Sequence, residues 1–343
     1  MTSDPTVSVV MPAFNAAEFL DEAVCSILDQ TFRDFEFIII DDGSTDDTAG
    51  ILQKYAKADS RVRVVPQANE EMITALNRGC RLARGRYIAR MDADDISLPQ
   101  RIERQVEFLE RHPEIGILGT WASRIDGNGC VVGDWCLSPN PKVLKWSHFF
   151  HVCVVHPTVL MRREVLEKLN FYRPDAIHAE DRDLWLRASA ITDFSNLPEI
   201  LLKYRVWNKG TSRRLRQEYR ETQINLLALF LSEYLKSDVS IEAVARLQGR
   251  KLESVEDIRS TAALLERLYD TFLLENTLSS EEHKEISWLA ARKLGGFALR
   301  ALRFSSLESL SLFKRALRLD YRLLSPSAIL TGLERRRSWN FAG

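Results

Sequence analysis

Three groups of carboxylates are the residues best suited to chemistry here: Asp41-Asp42, Asp92-Ala93-Asp94-Asp95 and Glu180-Asp181-Arg182-Asp183. Asp-x-Asp on a turn suits a hard divalent cation. Such ions take oxygen ligands and are commonly shared between one or two carboxylates and substrate phosphates. A carboxylate within hydrogen-bond reach of a hydroxyl can act as a general base. Any one acidic turn, taken alone, is more simply a solvated helix cap. Three at one edge would repel one another unless a cation or cationic substrate compensated them.

The elements that must gather them follow from the apolar pattern. Residues 7–11, 35–40, 61–65 and 87–91 read as strands. Helices are expected over about 16–30, from the Ser44-Thr45-Asp46-Asp47 capping-box spacing through Ile51 and Leu52, over 70–83, and after Ser97-Leu98-Pro99. Asn15 stands where it can cap the first helix. Strands alternating with helices predict an α/β fold with a doubly wound, mostly parallel sheet. In such sheets ligands bind outside the carboxyl ends of the strands. Asp42 and the Asp92–Asp95 turn follow two of those ends.

Further on, Asp126-Gly127-Asn128-Gly129 predicts a hairpin between 117–125 and 130–137. Residues 152–161 read as a strand interrupted at His156-Pro157. Helices are expected over 163–169 and 180–190, and a strand over 200–207. From 213 the pattern is helical, clearest over 218–234, 255–272 and 280–304. The predicted organisation is a catalytic domain, 1–212, and a helical C-terminal region, 213–343.

The 343 residues carry 47 basic and 48 acidic side chains, a net charge of −1, with 45% hydrophobic and 28% charged residues. That is the composition of an ordinary globular protein. It excludes collagen-like, disordered and disulfide-scaffold classes, and no nucleic-acid partner is expected. The average hides an asymmetry: residues 289–343 are +8 and the remainder −9. Five scattered cysteines without a CxxC pair argue against zinc. With no secretory signal and no long apolar run, the expected place is the cytoplasm, or the inner face of the cell membrane if the basic end binds lipid. Neither G-x-G-x-x-G nor G-x-x-x-x-G-K-[ST] occurs, which counts against NAD-binding Rossmann enzymes and P-loop ATPases. A sheet of this kind must hold diphosphate through a metal.

Val7-Ser8-Val9-Val10-Met11-Pro12-Ala13-Phe14-Asn15, Ile40-Asp41-Asp42-Gly43-Ser44 and Ala89-Arg90-Met91-Asp92-Ala93-Asp94-Asp95 resemble the family 2 glycosyltransferases of GT-A fold. Leu76-Asn77-Arg78-Gly79, Arg101 with Gln105, His156-Pro157-Thr158 and Ala179-Glu180-Asp181-Arg182-Asp183-Leu184-Trp185 extend the resemblance in family order over about 7–212. It implies an inverting, bacterial polysaccharide-type enzyme. The donor would be a nucleotide-diphosphate sugar, UDP-sugar foremost, with Mn²⁺ or Mg²⁺. The acceptor would be a glycan or lipid-linked oligosaccharide. Pro12, Ala13, Asn15, Asp42 and Asn77 would line the nucleotide site. Asp92 would serve ribose and metal, Asp94 would be the direct metal ligand, and Asp181 the general base with Glu180 beside it. The single base and absence of an enzymic nucleophile imply one displacement with inversion.

The chain departs from the family pattern twice. Glu70-Glu71-Met72 stands where a glycine is usual, and Tyr204-Arg205-Val206-Trp207 lacks the usual histidine. Arg205, Lys209 or Arg213 are candidates to serve in its place. His156 is either a group that positions acceptor or diphosphate or a buried structural histidine. Trp185 is expected in the core, and Arg101 and Gln105 on a solvated surface. The basic, apolar C-terminal segment fits packing on the acidic domain, self-association or an anionic membrane. Other classes stay open: a non-catalytic glycan-binding scaffold, a sugar-phosphate nucleotidyltransferase and a glycoside hydrolase. The nucleotidyltransferase would need a glycine-rich, basic loop that Pro12–Asn15 lacks, and a hydrolase could use paired carboxylates but has no need of the nucleotide-type corner.

Overall fold

A computed structural model describes residues 4–206 and 216–324. Contacts divide the chain into two compact units. The first comprises residues up to 141 together with 152–219, and the second comprises 142–151 and the chain from 220 onward. The sequence placed 142–151 in the first domain, whereas the structure packs them with the helical unit. The helix Pro141–Ser147 opens that excursion.

The strands of the first unit are β1 (Val7–Ala13), β2 (Phe35–Asp41), β3 (Val62–Pro66), β4 (Tyr87–Arg90), β5 (Ile96–Ser97), β6 (Ile115–Ile125), β7 (Val131–Trp135), β8 (Leu160–Arg162) and β9 (Asp193–Arg205). They form one sheet in the order β3-β2-β1-β4-β8-β6-β9-β5, with β7 added to β6. The β1–β2, β1–β4, β2–β3 and β6–β9 pairs are parallel. Strand β8 runs antiparallel between β4 and β6, and β5 antiparallel to β9. The expected α/β, mostly parallel sheet is therefore present. Helices α1 (Leu20–Leu28), α2 (Thr48–Ala58), α3 (Glu71–Leu82), α4 (Arg101–Arg111), α5 (Pro141–Ser147), α6 (Arg163–Lys168) and α7 (Glu180–Ala188) join the strands.

Every residue of β2 is buried, as a strand covered on both faces requires. Val9, Met11, Phe37 and Ile39 pack with Val24 and Ile27 of α1 and Ile102 of α4. On the other face α3 comes so close that a Cβ at Gly79 would lie 2.4 Å from Val10 Cγ1. Only glycine allows that approach. Pro12 costs no ladder bond, because β4 pairs with β1 only as far as Val10.

The strand expected over 152–161 is reduced to β8. His156–Thr158 form a single 3-10 turn instead. Pro157 offers no N–H to a ladder, and the turn carries its backbone carbonyls elsewhere. Strand β9 begins at Asp193, earlier than the pattern suggested.

In the second unit, helices Ile241–Leu247, Val255–Glu275, Ser280–Ala301 and Ser306–Leu319 follow helix Arg216–Tyr234. Ser240, Ser254, Ser279 and Ser305 accept from the exposed first-turn amides, and Ser279 with Glu282 makes a full capping box. Trp146 is buried against Phe149, Phe150, Tyr269 and Phe272. No described helix is long and apolar enough to cross a membrane.

Candidate active site

The carboxyl ends of β1 and β2 are stitched into one platform. Asn15 N–H donates to Ser44 Oγ (3.0 Å), Ala16 N–H to Thr48 Oγ1 (2.8 Å) and Ala17 N–H to Asp46 Oδ2 (3.2 Å). In return Thr45 N–H donates to Asn15 Oδ1 at 2.8 Å. Asn15 thus holds the neighbouring loop and does not cap α1, which begins at Leu20 after a Phe19 cap position. Likewise Ser44 is used by Asn15, and α2 has no capping box. Beside this platform Asp42 is buried. Its Oδ1 accepts from Gln67 Nε2 (2.7 Å) and from Glu70 N–H (2.9 Å). Pro12 and Ala13 end β1 on the same edge.

Asp92, Asp94 and Asp95 lie between β4 and β5, with one oxygen of each within 4.8 Å of the others. Asp95 is buried. Its Oδ1 accepts from Arg205 N–H at 2.8 Å, and its Oδ2 has no hydrogen-bond partner. Burial, then the charges of Asp92 and Asp94, push its pKa well above the carboxylate range. Three hard oxygen donors and an orphaned buried oxygen fit a divalent cation.

Arg90, buried at the end of β4, forms an ion pair with Asp92. Burial works against its charge, but Asp92 foremost, then Tyr172, Asp95 and Glu180, outweigh it and raise its pKa. Arg90 is therefore a cation that the Asp92–Asp95 corner and the Glu180 corner share.

Glu180 and Asp181 open α7. Burial, then the Asp181 charge, push Glu180 up to about 8. Asp181 is half-buried and also raised, chiefly by burial, while its Oδ1 accepts from Arg182 N–H at 2.6 Å. His156 is buried, with Nε2 2.9 Å from the Tyr172 hydroxyl and Nδ1 3.8 Å from Glu180 Oε1. Burial and the Arg90 charge hold its pKa well below the usual histidine value, so it is neutral. Asn77 uses its amide to clamp Tyr172: Nδ2 donates to the Tyr172 carbonyl (2.8 Å) and Oδ1 accepts its N–H (3.0 Å). In this structure Asn77 positions Tyr172 and, through it, His156.

Arg101 and Gln105 correct the expectation of a solvated surface. Both are fully buried. Arg101 donates to the Pro157 carbonyl (2.6 Å) and the Arg90 carbonyl (3.3 Å), and Gln105 Nε2 donates to the Thr158 carbonyl (2.8 Å). They hold the carbonyls that the 3-10 turn leaves out of any ladder. Trp185 is in the core, edge-on to His156 and Phe194.

The family model for glycosyl transferase family 2 matches residues 8–169. An uncharacterized glycosyltransferase of Haemophilus influenzae is 31% identical over 284 residues, spanning 80% of this chain and 87% of that protein. The chain belongs to glycosyltransferase family 2. The O-antigen biosynthesis glycosyltransferase WbnJ of Escherichia coli is 33% identical over 211 residues, spanning 60% of this chain and 82% of WbnJ. Two solved structures share the fold. S. aureus TarS 1–349 in complex with UDP-GlcNAc has a TM-score of 0.57 at 17% identity, covering 92% of this chain and 91% of that one. The mannosyltransferase PcManGT from Pyrobaculum calidifontis, in complex with GDP-Man and Mn²⁺, has a TM-score of 0.51 at 17% identity, covering 94% and 88%.

In this glycosyltransferase Arg205 is engaged within the acidic loop. Its guanidinium donates to the Asp94 carbonyl (2.8 Å), to Glu22 Oε2 (2.5 Å) and to the Asp126 carbonyl (3.3 Å), and lies over the Phe19 ring. It fixes the acidic loop. Trp207, Lys209 and Arg213 lie outside the described residues. The glycine departure has a backbone consequence: Glu71 has φ +72°, a left-handed conformation that glycine takes freely. Arg90 and Tyr172 went unnoticed as functional residues in the sequence. Arg90 had a signal, since it directly precedes the acidic turn at a strand end.

Proposed function

We propose that this glycosyltransferase moves a sugar, with inversion, from a nucleoside-diphosphate donor to a hydroxyl of a glycan or lipid-linked acceptor. UDP-sugar is the leading donor, and Asp181 is the general base. The observation that carries this reading is the shared Arg90, which ties the Asp92–Asp95 corner to Glu180 at the carboxyl edge of the sheet. The UDP-GlcNAc bound to TarS and the name of WbnJ support the donor and acceptor classes.

Asp94 and Asp92 would hold a divalent ion, as the Mn²⁺ of PcManGT also suggests. When bound, such an ion stabilises negative charge on the departing diphosphate. Asp42, with one oxygen fixed by Gln67 and Glu70, would contact the nucleotide base. The acceptor oxygen attacks the anomeric carbon, and its proton passes to Asp181. The anomeric carbon–oxygen bond breaks, and its electron pair leaves with the nucleoside diphosphate. Glu180, protonated up to about pH 8, keeps the adjacent pair near a single negative charge. That leaves Asp181 as the base. Neutral His156, set by Tyr172, adds no charge to this corner.

Asp181→Asn is expected to lower transfer by about 10²–10⁴-fold while calorimetry with UDP-sugar and Mn²⁺ shows unchanged donor affinity. Full transfer by that variant would remove Asp181 from the role. In parallel, Asp94→Ala is expected to abolish the Mn²⁺-dependent part of UDP binding.

A further inference from the structure

His156 is buried, and its two ring nitrogens meet different groups. Nε2 lies 2.9 Å from the Tyr172 hydroxyl, and Nδ1 lies 3.8 Å from Glu180 Oε1. Packing holds the ring: Trp185 meets it edge-on, and the Tyr172 ring centre is 5.6 Å away. A neutral imidazole carries one proton, and the bond made by one nitrogen decides whether the other donates or accepts. Burial and the Arg90 charge keep His156 in that neutral form.

Tyr172 decides which nitrogen holds the proton. A phenol has a single O–H to donate. Among the described residues, His156 Nε2 is the only hydrogen-bond partner of the Tyr172 hydroxyl. Tyr172 is itself buried, and buried polar groups are seldom left unmatched. If Nε2 held the proton and donated it to Tyr172, the phenolic hydrogen would have no acceptor among those residues. Both groups are satisfied when Tyr172 O–H donates to Nε2, which leaves the His156 proton on Nδ1. Asn77 fixes the backbone that carries the phenol. Its Nδ2 donates to the Tyr172 carbonyl at 2.8 Å, and its Oδ1 accepts the Tyr172 N–H at 3.0 Å.

We propose that His156 is a positioning residue whose tautomer is locked by Tyr172, so that Nδ1–H is presented to Glu180 Oε1. The inference rests on reading Glu180 and Asp181 as the catalytic pair. At 3.8 Å the two atoms stand beyond hydrogen-bond length, and such contacts are often long in a free enzyme and tighten in the substrate complex. Once Oε1 accepts from Nδ1–H, the acid proton of Glu180 is confined to Oε2. Glu180 then keeps its neutral form in one orientation next to Asp181, which takes the acceptor proton. The role needs a hydrogen-bond donor at the Nδ1 position and no positive charge.

The test does not require the acceptor. The full chain, with isotope-labelled histidine, is followed at pH 7 by long-range proton–nitrogen correlation NMR, which separates the two neutral tautomers. The chain has 6 histidines, and the His156 signal is the one lost in His156→Gln. Wild type is expected to carry the proton on Nδ1. Tyr172→Phe, which keeps the ring and loses the O–H, is expected to give a mixture of tautomers. In parallel, UDP release is measured with Mn²⁺ and UDP-glucose, UDP-galactose or UDP-GlcNAc, water serving as acceptor. The amide nitrogen of asparagine reaches the Nδ1 position, whereas that of glutamine reaches the Nε2 position. His156→Gln and His156→Ala are therefore expected to lose about tenfold in turnover at unchanged UDP affinity, and His156→Asn to recover most of that loss. A proton on Nε2 or a charged ring in wild type would overturn the proposal, as would a Tyr172→Phe spectrum identical to wild type. Equal turnover by His156→Gln and His156→Asn would overturn the role towards Glu180. Should a histidine variant fail to fold, the spectra of wild type and Tyr172→Phe decide. Absence of UDP release from all three donors would count against the donor reading, and the tautomer spectra would still decide this one.

Discussion

The acidic corner of the first unit and the basic stretch Arg292–Arg300 of helix Ser280–Ala301 in the second concentrate like charges in different ways. Asp92, Asp94 and Asp95 have protein cations built into their surroundings: Arg90 pairs with Asp92, and Arg205 holds the Asp94–Asp95 backbone. On that helix Lys293 lies over the Phe150 ring. Where the fold supplies its own cations, charge is positioned before any ligand arrives. That suits a site where a proton and a leaving group must be controlled.

The comparison makes opposite predictions for loss of a cation. Arg90→Met leaves Asp92, Asp95 and Glu180 without their shared partner. Removing one member of a buried pair costs about 3–5 kcal/mol. The lower end applies, since Asp92 keeps 24% of its side chain exposed. Chemical denaturation in EDTA should therefore show a loss of about 3 kcal/mol, partly restored by Mn²⁺. An unchanged midpoint would mean that the corner does not depend on its built-in cation. Lys293→Met should act the other way. The folded pKa of about 8 lies below the unfolded value of 10.5, so the folded state disfavours the ammonium. That penalty develops as pH falls from 10.5 through 8 and is complete at pH 7. The variant should be more stable than wild type at pH 7 and lose that advantage above pH 10. A destabilised variant would mean that the cation–π contact outweighs desolvation.

Glu180 gives the matching test on the acidic side. Its folded pKa of about 8 lies above the ordinary glutamate value of 4.5, so the folded state binds the extra proton between those values. Stability from this group is therefore fully present below pH 4.5 and falls as pH rises towards 8. Glu180→Gln, which cannot ionise, should flatten that part of the stability profile in EDTA. A wild-type profile that is already flat there would place Glu180 in a less desolvated setting.

How much was legible in the sequence follows from how local each signal was. The Asp92–Asp95 turn and β1 to β4 were readable because each strand is a short apolar run and each acid directly follows one. Arg101 and Gln105 were misplaced because polar side chains were assigned to water. Their spacing with Leu109 in fact places them on the buried stripe of α4, where they satisfy the Pro157 and Thr158 carbonyls. Asn15 failed as a cap for a similar reason: its partner, Thr45, is 30 residues away and visible only after folding. The 142–151 excursion was hidden because contiguous sequence gives no sign that Trp146 packs with residues such as Phe272.

The smallest predicted effect isolates backbone from charge. Glu71 and Gly296 are inverse cases: a side chain where φ favours glycine, and a glycine in a helix where a Cβ would have room. At Glu71 the left-handed conformation costs roughly 1–2 kcal/mol for an L-residue. Glycine removes that strain but orders a freer unfolded chain, so Glu71→Gly should gain only about 0.5 kcal/mol. The neighbouring Glu70 N–H holds Asp42 Oδ1, so the same variant tests whether the strain matters to the nucleotide site. Greater stability with unchanged UDP affinity would confine the strain to the loop. Greater stability with weaker UDP binding would show that Glu71 helps fix the Glu70 amide on Asp42. A loss of stability would mean that the Glu71 side chain makes contacts worth more than its backbone strain, and the departure from glycine would then be a gain for the fold.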